Sequence, residues 1–282
     1  MGVLEVNRPE IRDLNIFIAF AKRMKGLDLS SYRQSFLLRR LKVRMDIHKL
    51  YNLLGYVKIL EDEPKEWENF LESLSINVSE FFRDPDVFNF FYNNCIKNLI
   101  EKKKLNAQKT IRLWSAGCSF GEEAYSLAIL LKEALPKDSE KLIRIWATDI
   151  EKSALSIARK GEYLAHPLKN IEDKLLKKYF MSPSEGRWII KEDIKKLVSF
   201  KQHDLLSDPP LRFMDVVFCR NVRIYFNMSQ GEKVLFNIHS SLREGGYLVI
   251  GKVETLPTPL KNLFLPIEGY YKIFQKLDLK GR

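Results

Sequence analysis

An apolar strand that runs into two glycines, with a helix opening directly behind them, constrains this chain more than any other feature. Ile111, Leu113 and Trp114 make the strand, Gly117 and Gly121 the turn, and Glu122-Glu123 begin a helix that continues through Ala124–Leu131. Glycine allows a positive φ and a close backbone approach at such a turn. From about residue 76 strands and helices alternate, the pattern of a parallel sheet covered on both faces. Strands are expected at 111–116, 143–148, 197–202, 214–219 and 246–251, with a last one at 270–276 as an antiparallel edge. Helices are expected at 86–103, 122–135, 152–160 and 229–242. Between the second and third sheet strands lies a longer insertion. Its Ser182-Pro183-Ser184-Glu185-Gly186 is turn chemistry followed by a β-prone Arg187–Lys191, which predicts a small hairpin or sheet riding on the domain.

Charge around the glycine turn indicates its ligand. A phosphate cradle uses free N–H groups and a lysine. Here the helix opens with two acids, which repel a pyrophosphate and suit a cationic nucleoside; the sulfonium and ammonium of S-adenosylmethionine match. Alternatively the acids only complement the helix dipole. Asp149 ends the second strand, where an acid accepts hydrogen bonds from ribose hydroxyls; it could equally cap the helix at 152–160. Met214–Cys219 reads as a buried strand that releases Arg220, Asn221 and Tyr225 at its carboxyl end, the edge where open α/β sheets bind ligands.

Residues 1–75 read as helical. Asp13–Met24 has the apolar content of a core helix, ended by Gly26. Ser31 and Gln34 read as a capping box for a helix over Tyr32–Met45. Leu37, Leu38, Leu41 and Met45 share one face of it, and Arg33, Arg40 and Arg44 make a second stripe with Arg39 and Lys42 beside it. That stripe is either a solvated face or a docking surface for an acidic helix. Helices near 49–60 and 65–74, the last started by Pro64, complete a small bundle.

The chain carries 47 Lys and Arg against 36 Asp and Glu, a net charge of +11, which points to an anionic partner. Part of this is generic surface, and Lys102-Lys103-Lys104 reads as a helix end and loop. Three widely spaced cysteines and four scattered histidines make neither a disulfide framework nor a metal set, and they suit a reducing cytoplasm. No secretory signal or membrane span is evident, so a cytoplasmic location without membrane insertion is expected.

Several motifs, taken in order, carry a family resemblance: Asn77-Val78-Ser79-x-Phe81-Phe82-Arg83, the turn Ser115–Glu123, Thr148-Asp149-Ile150, and Phe218-Cys219-Arg220-Asn221-Val222-x-Ile224-Tyr225-Phe226. Over nearly its whole length the chain resembles the CheR chemotaxis receptor methyltransferases, which methylate glutamates of chemoreceptors. The resemblance implies an all-α receptor-docking domain at 1–75. A Rossmann-like S-adenosylmethionine-dependent methyltransferase domain would follow at 76–282, with a β-subdomain insertion at about 180–200. It implies S-adenosylmethionine as cofactor, S-adenosylhomocysteine as product, and the cytoplasmic helical domain of the receptors as partner.

Asn77, Ser79, Arg83, Gly117, Glu123, Asp149, Asp204, Leu205, Arg220 and Asn221 would contact the cofactor. Arg83 would reach either the cofactor's carboxylate or the incoming glutamate. Arg83, Arg220 and Tyr225 would be the catalytic residues, and Arg33, Arg39, Arg40 and Arg44 would dock the receptor. No metal is expected. Gly251-Lys252-Val253-Glu254 departs from the Gly-His-Ser-Glu of many relatives. The short Ser182–Glu185 loop predicts no pentapeptide tether, and a monomer is the default. A nucleic-acid methylase, suggested by Asp208-Pro209-Pro210-Leu211, is disfavoured: Leu211 cannot stack a flipped base, and the motif precedes the fourth sheet strand. A docking module without cofactor binding is disfavoured by the intact turn, Glu123 and Asp149.

Overall fold

The computed structural model describes residues 11–74, 79–105, 110–136 and 142–278. The chain divides into two compact units. One comprises residues 1–76 with Ile224–Gly231, and the other comprises Asn77–Arg223 with Glu232–Arg282. The stretch Ile224–Gly231 thus groups with the helical unit, where the sequence placed it within 76–282.

The first unit is built on α1 (Ile11–Lys25), α2 (Gln34–Ile47), α3 (Leu53–Asp62) and α4 (Pro64–Leu74). Phe17, Leu37, Leu41, Tyr56, Trp67 and Phe70 form its buried centre. Gly26, at φ 66°, terminates α1 as expected. The capping box is not formed. Ser31 instead closes a short 3₁₀ turn, Leu29–Ser31, which Asp28 caps by accepting from Ser30 N at 3.0 Å, and Arg33 precedes α2 without a side-chain cap. Residues 224–231 explain the shift. Tyr225 O accepts from Arg33 N at 2.9 Å and Ser31 O from Asn227 N at 2.9 Å, so neighbouring chain fixes the entry to α2.

The second unit runs in order through α5 (Pro85–Phe90), a π-helical turn at Phe91–Ile96, α6 (Lys97–Leu105), β1 (Ile111–Ala116), α7 (Glu122–Ala134) and β2 (Ile143–Asp149). It continues through α8 (Lys152–Lys160), β3 (Glu162–Leu164), α9 (Asp173–Tyr179), β4 (Phe180–Ser184), β5 (Arg187–Ile190), α10 (Glu192–Lys195), β6 (Val198–Gln202) and β7 (Met214–Cys219). Next come α11 (Met228–Ser241), whose first turn belongs to the helical unit, β8 (Leu242–Ile250), α12 (Thr258–Lys261), β9 (Phe264–Glu268) and β10 (Ile273–Lys276).

The main sheet has the order β6-β2-β1-β7-β8-β10-β9, parallel from β6 to β8 and antiparallel beyond. The strand expected at 270–276 is antiparallel but is not the edge; β9, whose alternation Pro266 interrupts, lies outside it. The 180–191 hairpin exists, and β3 joins it as a third strand in the order β3-β5-β4. The subdomain stops short of residue 200 because β6 belongs to the main sheet. The helix expected at 86–103 is interrupted by the π turn, whose Phe91 packs edge-on against Phe218 at 5.0 Å. β7 is buried at every position, as the apolar run of a central parallel strand requires.

Lys103 is no loop residue. It is buried and its Nζ lies 2.6 Å from Asp215 Oδ1, while Asp215 Oδ2 accepts from Arg112 N at 2.8 Å. This pair joins α6 to the amino ends of β1 and β7.

Candidate active site

Strand order reverses between β1 and β7, so their connections leave in opposite directions and open a crevice at the carboxyl edge. The glycine turn after β1 is laced to the end of β2. Gly117 N and Cys118 N donate to Thr148 O at 2.8 and 2.9 Å, Ser119 N donates to Asp149 Oδ2 at 2.8 Å, and Gly121 N donates to Cys118 O at 2.9 Å. These four donors serve the protein itself and are not free to cradle a phosphate.

The glycines also serve packing. A Cβ at Gly117 (φ 78°) would sit 2.3 Å from Val222 Cγ2, and one at Gly121 (φ 93°) would press on Ala158 and Phe200. Both glycines are demanded by backbone conformation and by neighbouring side chains. Val222, Ala158 and Phe200 approach the two glycines closely.

Two carboxylates face the crevice from this scaffold. Glu123, in the first turn of α7, accepts from Ser115 Oγ at 2.7 Å, with Arg220 Nη1 3.6 Å from its other oxygen. Burial raises its pKa, opposed by Arg220, Ser115 and Arg83. Asp149 accepts from Ser119 N and, at 3.1 Å, from Glu151 N, so it ties β2 to the glycine turn and does not cap α8. Burial raises its pKa too. Beyond β6, Asp204 accepts from Leu206 N at 2.9 Å and Ser207 Oγ at 2.8 Å, and Leu205 beside it is nearly buried. Asp208 closes this turn, its N donating to Asp204 O at 2.9 Å, and Pro209 and Pro210 follow it.

Glu122, the sequence neighbour of Glu123, is deeply buried. It is 1% exposed, and burial pushes its pKa up to about 7, with Ser79 the side chain that opposes the shift. A folded-state value above the ordinary 4.5 means that stability is lost as pH rises between about 4.5 and 7. Glu122→Gln should therefore stabilise the protein by up to about 3 kcal/mol at pH 8 and hardly at all at pH 4.5. Thermal melts at the two pH values check this; an equal gain at both would show that ionisation is not the cause.

Arg220 lies at the end of β7 with its side chain 2% exposed. Nη1 donates to Arg83 O at 3.0 Å, Nη2 binds Asp84, and the guanidinium stands 5.7 Å from the Phe88 ring. Both terminal nitrogens thus have protein partners. Arg220 orders Arg83 and Glu123. Asn221, at φ 60°, donates its N–H to Glu254 Oε2 at 3.2 Å. Ser79, Arg83, Gly117, Glu123, Asp149, Asp204, Leu205, Arg220 and Asn221 all belong to this unit, whereas Asn77 lies outside the described residues.

Tyr225 belongs to the helical unit, its ring 5.1 Å from Phe36. There Arg33, Ser35, Phe36, Arg39, Ile224 and Tyr225 line an open pocket of about 220 Å³. Arg40 lies over the Phe36 ring at 5.3 Å. Arg44 is paired within the helical unit. It forks onto both oxygens of Glu66, at 2.8 and 2.5 Å, and Tyr56 Oη donates to the same carboxylate at 2.7 Å. Burial alone would raise the Glu66 pKa, but Arg44, Tyr56, Asn69 and His48 together bring it down to about 2. Sequence reasoning missed Ser115, Asp84 and Glu254. A strand serine, an acid before proline and an acid past β8 declare nothing until the strands are aligned.

A model of the CheR methyltransferase S-adenosylmethionine-binding domain matches residues 77–272, and one of the CheR all-α domain matches residues 12–75. The chain belongs to the CheR methyltransferase family. A chemotaxis protein methyltransferase of Borreliella burgdorferi is 33% identical over 252 residues, covering 88% of this chain and 89% of that one. One from Listeria innocua is 32% identical over 263 residues, covering 93% and 97%. An uncharacterized 104.1 kDa protein of Rhodobacter capsulatus is 32% identical over 247 residues, and the match covers 87% of this chain but 26% of that larger one.

This CheR methyltransferase is thus an S-adenosylmethionine-dependent enzyme. The residues present fit the cofactor: carboxylates at Glu123 and Asp149 offer acceptors for an ammonium and for ribose hydroxyls, and four N–H groups of the turn are already used by the protein. Among the described residues no helix is long and apolar enough to cross a membrane.

Proposed function

We propose that the chain is the protein-glutamate O-methyltransferase that esterifies glutamate side chains on the cytoplasmic helical domain of chemotaxis receptors, acting in the cytoplasm as a monomer. Bound S-adenosylmethionine would supply the methyl group: a glutamate carboxylate oxygen would bond to that carbon as its bond to the sulfonium sulfur breaks, and the sulfur would keep the bonding pair and leave as the neutral thioether S-adenosylhomocysteine. A glutamate of ordinary pKa, about 4.3, is already ionised at neutral pH, so no general base is required. The protein's work is alignment and partial desolvation of a weak nucleophile.

Glu123 holds the cofactor's ammonium, Asp149 its ribose, and Arg83 its carboxylate. The Asp204-Leu205 turn borders the adenine, and Asn77, Ser79, Gly117 and Asn221 complete the pocket. Arg220 keeps Arg83 and Glu123 in register without being consumed by the reaction. Tyr225 orients the attacking carboxylate.

The observation that carries the receptor assignment is the pocket on the helical unit, where Arg33 and Arg39 flank Phe36 and Tyr225. Guanidinium forks over an aromatic floor suit a carboxylate on a helix surface, and Arg40 adjoins them. Between β4 and β5 only Glu185 and Gly186 intervene, a turn too short for an extended loop, so no pentapeptide tether is invoked.

With labelled cofactor and receptor-bearing membranes, a base-labile methyl ester should appear on a receptor-sized band. The double variant R33E/R39E should lower that labelling about tenfold while leaving S-adenosylhomocysteine affinity unchanged. Equal labelling by the variant would remove the receptor-docking role of α2, and labelling of RNA in place of receptor would remove the substrate.

A further inference from the structure

Lys252 lies on the tight turn that follows β8, where Glu254 N donates to Gly251 O at 2.9 Å and Gly251 N donates to Glu254 Oε2 at 2.6 Å. Its Nζ is 2.8 and 2.7 Å from the two Asp86 oxygens, 3.9 Å from Asp84 Oδ1, and 5.5 Å from the centre of the Tyr270 ring. Asp84 is also bound by Arg220, which holds the Arg83 carbonyl as well. Two cations, one from the end of β7 and one from beyond β8, therefore grip the two aspartates that flank Pro85.

The segment they grip has an unusual backbone. Phe82 and Asp84 both adopt left-handed conformations, at φ 49° and 59°, with Arg83 between them. Non-glycine residues hold such angles only where surrounding structure imposes them. Asp84 stands at the N-cap position of α5 but makes no side-chain cap bond. From the amino side the turn is anchored by Phe82 N donating to Ser126 Oγ at 2.9 Å and Arg83 N to Glu80 O at 3.3 Å. On the carboxyl side the described side-chain anchors are Arg220 and Lys252.

We infer that Lys252 is a positioning residue for cofactor binding: by clamping Asp86 and Asp84 it fixes the Phe82–Asp84 turn, and so aims Arg83 at the carboxylate of the cofactor's amino-acid portion. This rests on the reading of Arg83 given above. Lys252 is 30% exposed and its partners 30% and 40%, so the pairs add little to global stability. Their effect falls on the direction of one neighbouring side chain.

The test compares binding of S-adenosylhomocysteine with binding of methylthioadenosine, which lacks the amino-acid portion, by calorimetry. Lys252→Met should weaken S-adenosylhomocysteine five- to tenfold, leave methylthioadenosine unchanged, and keep the wild-type melting temperature. Lys252→Arg, which keeps a cation able to pair with both aspartates, should restore most of the affinity. Asp86→Asn should match Lys252→Met, and the double variant should be no worse than either alone, since both break the same clamp. Unchanged S-adenosylhomocysteine affinity in Lys252→Met, equal losses for both ligands, or additive losses in the double variant would overturn the inference. Arg83→Met in the same titration is the separate control. If it binds S-adenosylhomocysteine as the wild type does, the assignment of Arg83 fails whatever Lys252 does.

Discussion

Glu123→Gln is expected to weaken S-adenosylhomocysteine binding by roughly a hundredfold or more. The substitution keeps the shape and leaves an acceptor for Ser115, whose hydroxyl lies 2.7 Å from Glu123 Oε1. What it removes is the negative charge at the mouth of the crevice. Leaving one member of a buried charge pair without its partner costs about 2–5 kcal/mol, and each 1.4 kcal/mol is about tenfold in affinity. Loss of the carboxylate also leaves Arg220 with Asp84 as its remaining anion, so the local field turns positive where an ammonium must sit. Methylthioadenosine carries no ammonium and should bind the variant and the wild type alike. A variant within threefold of wild type for S-adenosylhomocysteine would show that the ammonium lies elsewhere.

The parallel sheet was legible because its signals are local. β1, β7 and α8 fall on their expected residues, since apolar runs bounded by turns define the strands and an amphipathic segment ended by Gly161 defines the helix. The glycine turn and its two acids were legible for the same reason, but their separate fates were not. Glu122 is almost wholly buried, whereas Glu123 meets Ser115 and Arg220, and the position of α7 between the sheet, α10 and the 91–96 turn sets both. The partner of Arg44 was not legible, because helical spacing puts Arg44 on a line with Arg33 and Arg40 without revealing Glu66 on α4. β9 was missed since Pro266 breaks its pattern, and β3 since three residues carry no period. Lys252 looked like a loss relative to the family; only the approach of Asp84 and Asp86, far away in sequence, gives it a partner.

The largest stability effect is expected at the opposite edge of the sheet. Asp215→Ala removes a carboxylate whose side chain is 4% exposed, with Lys103 Nζ at 2.6 Å, Arg112 N at 2.8 Å and Arg243 Nε at 3.9 Å. It leaves the Lys103 ammonium, itself 8% exposed, without its carboxylate. Breaking a buried pair on one side costs about 3–5 kcal/mol, whereas replacing both members by apolar groups of similar size is often neutral. For a domain of this size each kcal/mol lowers the melting temperature by about 2–4 °C, so a drop near 10 °C is expected. Lys103→Met combined with Asp215→Leu should recover much of it. Asp215 is the second residue of β7 and Arg112 the second of β1, away from the carboxyl ends where Glu123, Asp149 and Arg220 gather. The folded fraction of Asp215→Ala should therefore bind S-adenosylhomocysteine with wild-type affinity below its melting transition. A single variant that melts like the wild type would mean that the pair is hydrated and contributes nothing. Lost affinity in the folded state would mean that the two edges of the sheet are coupled.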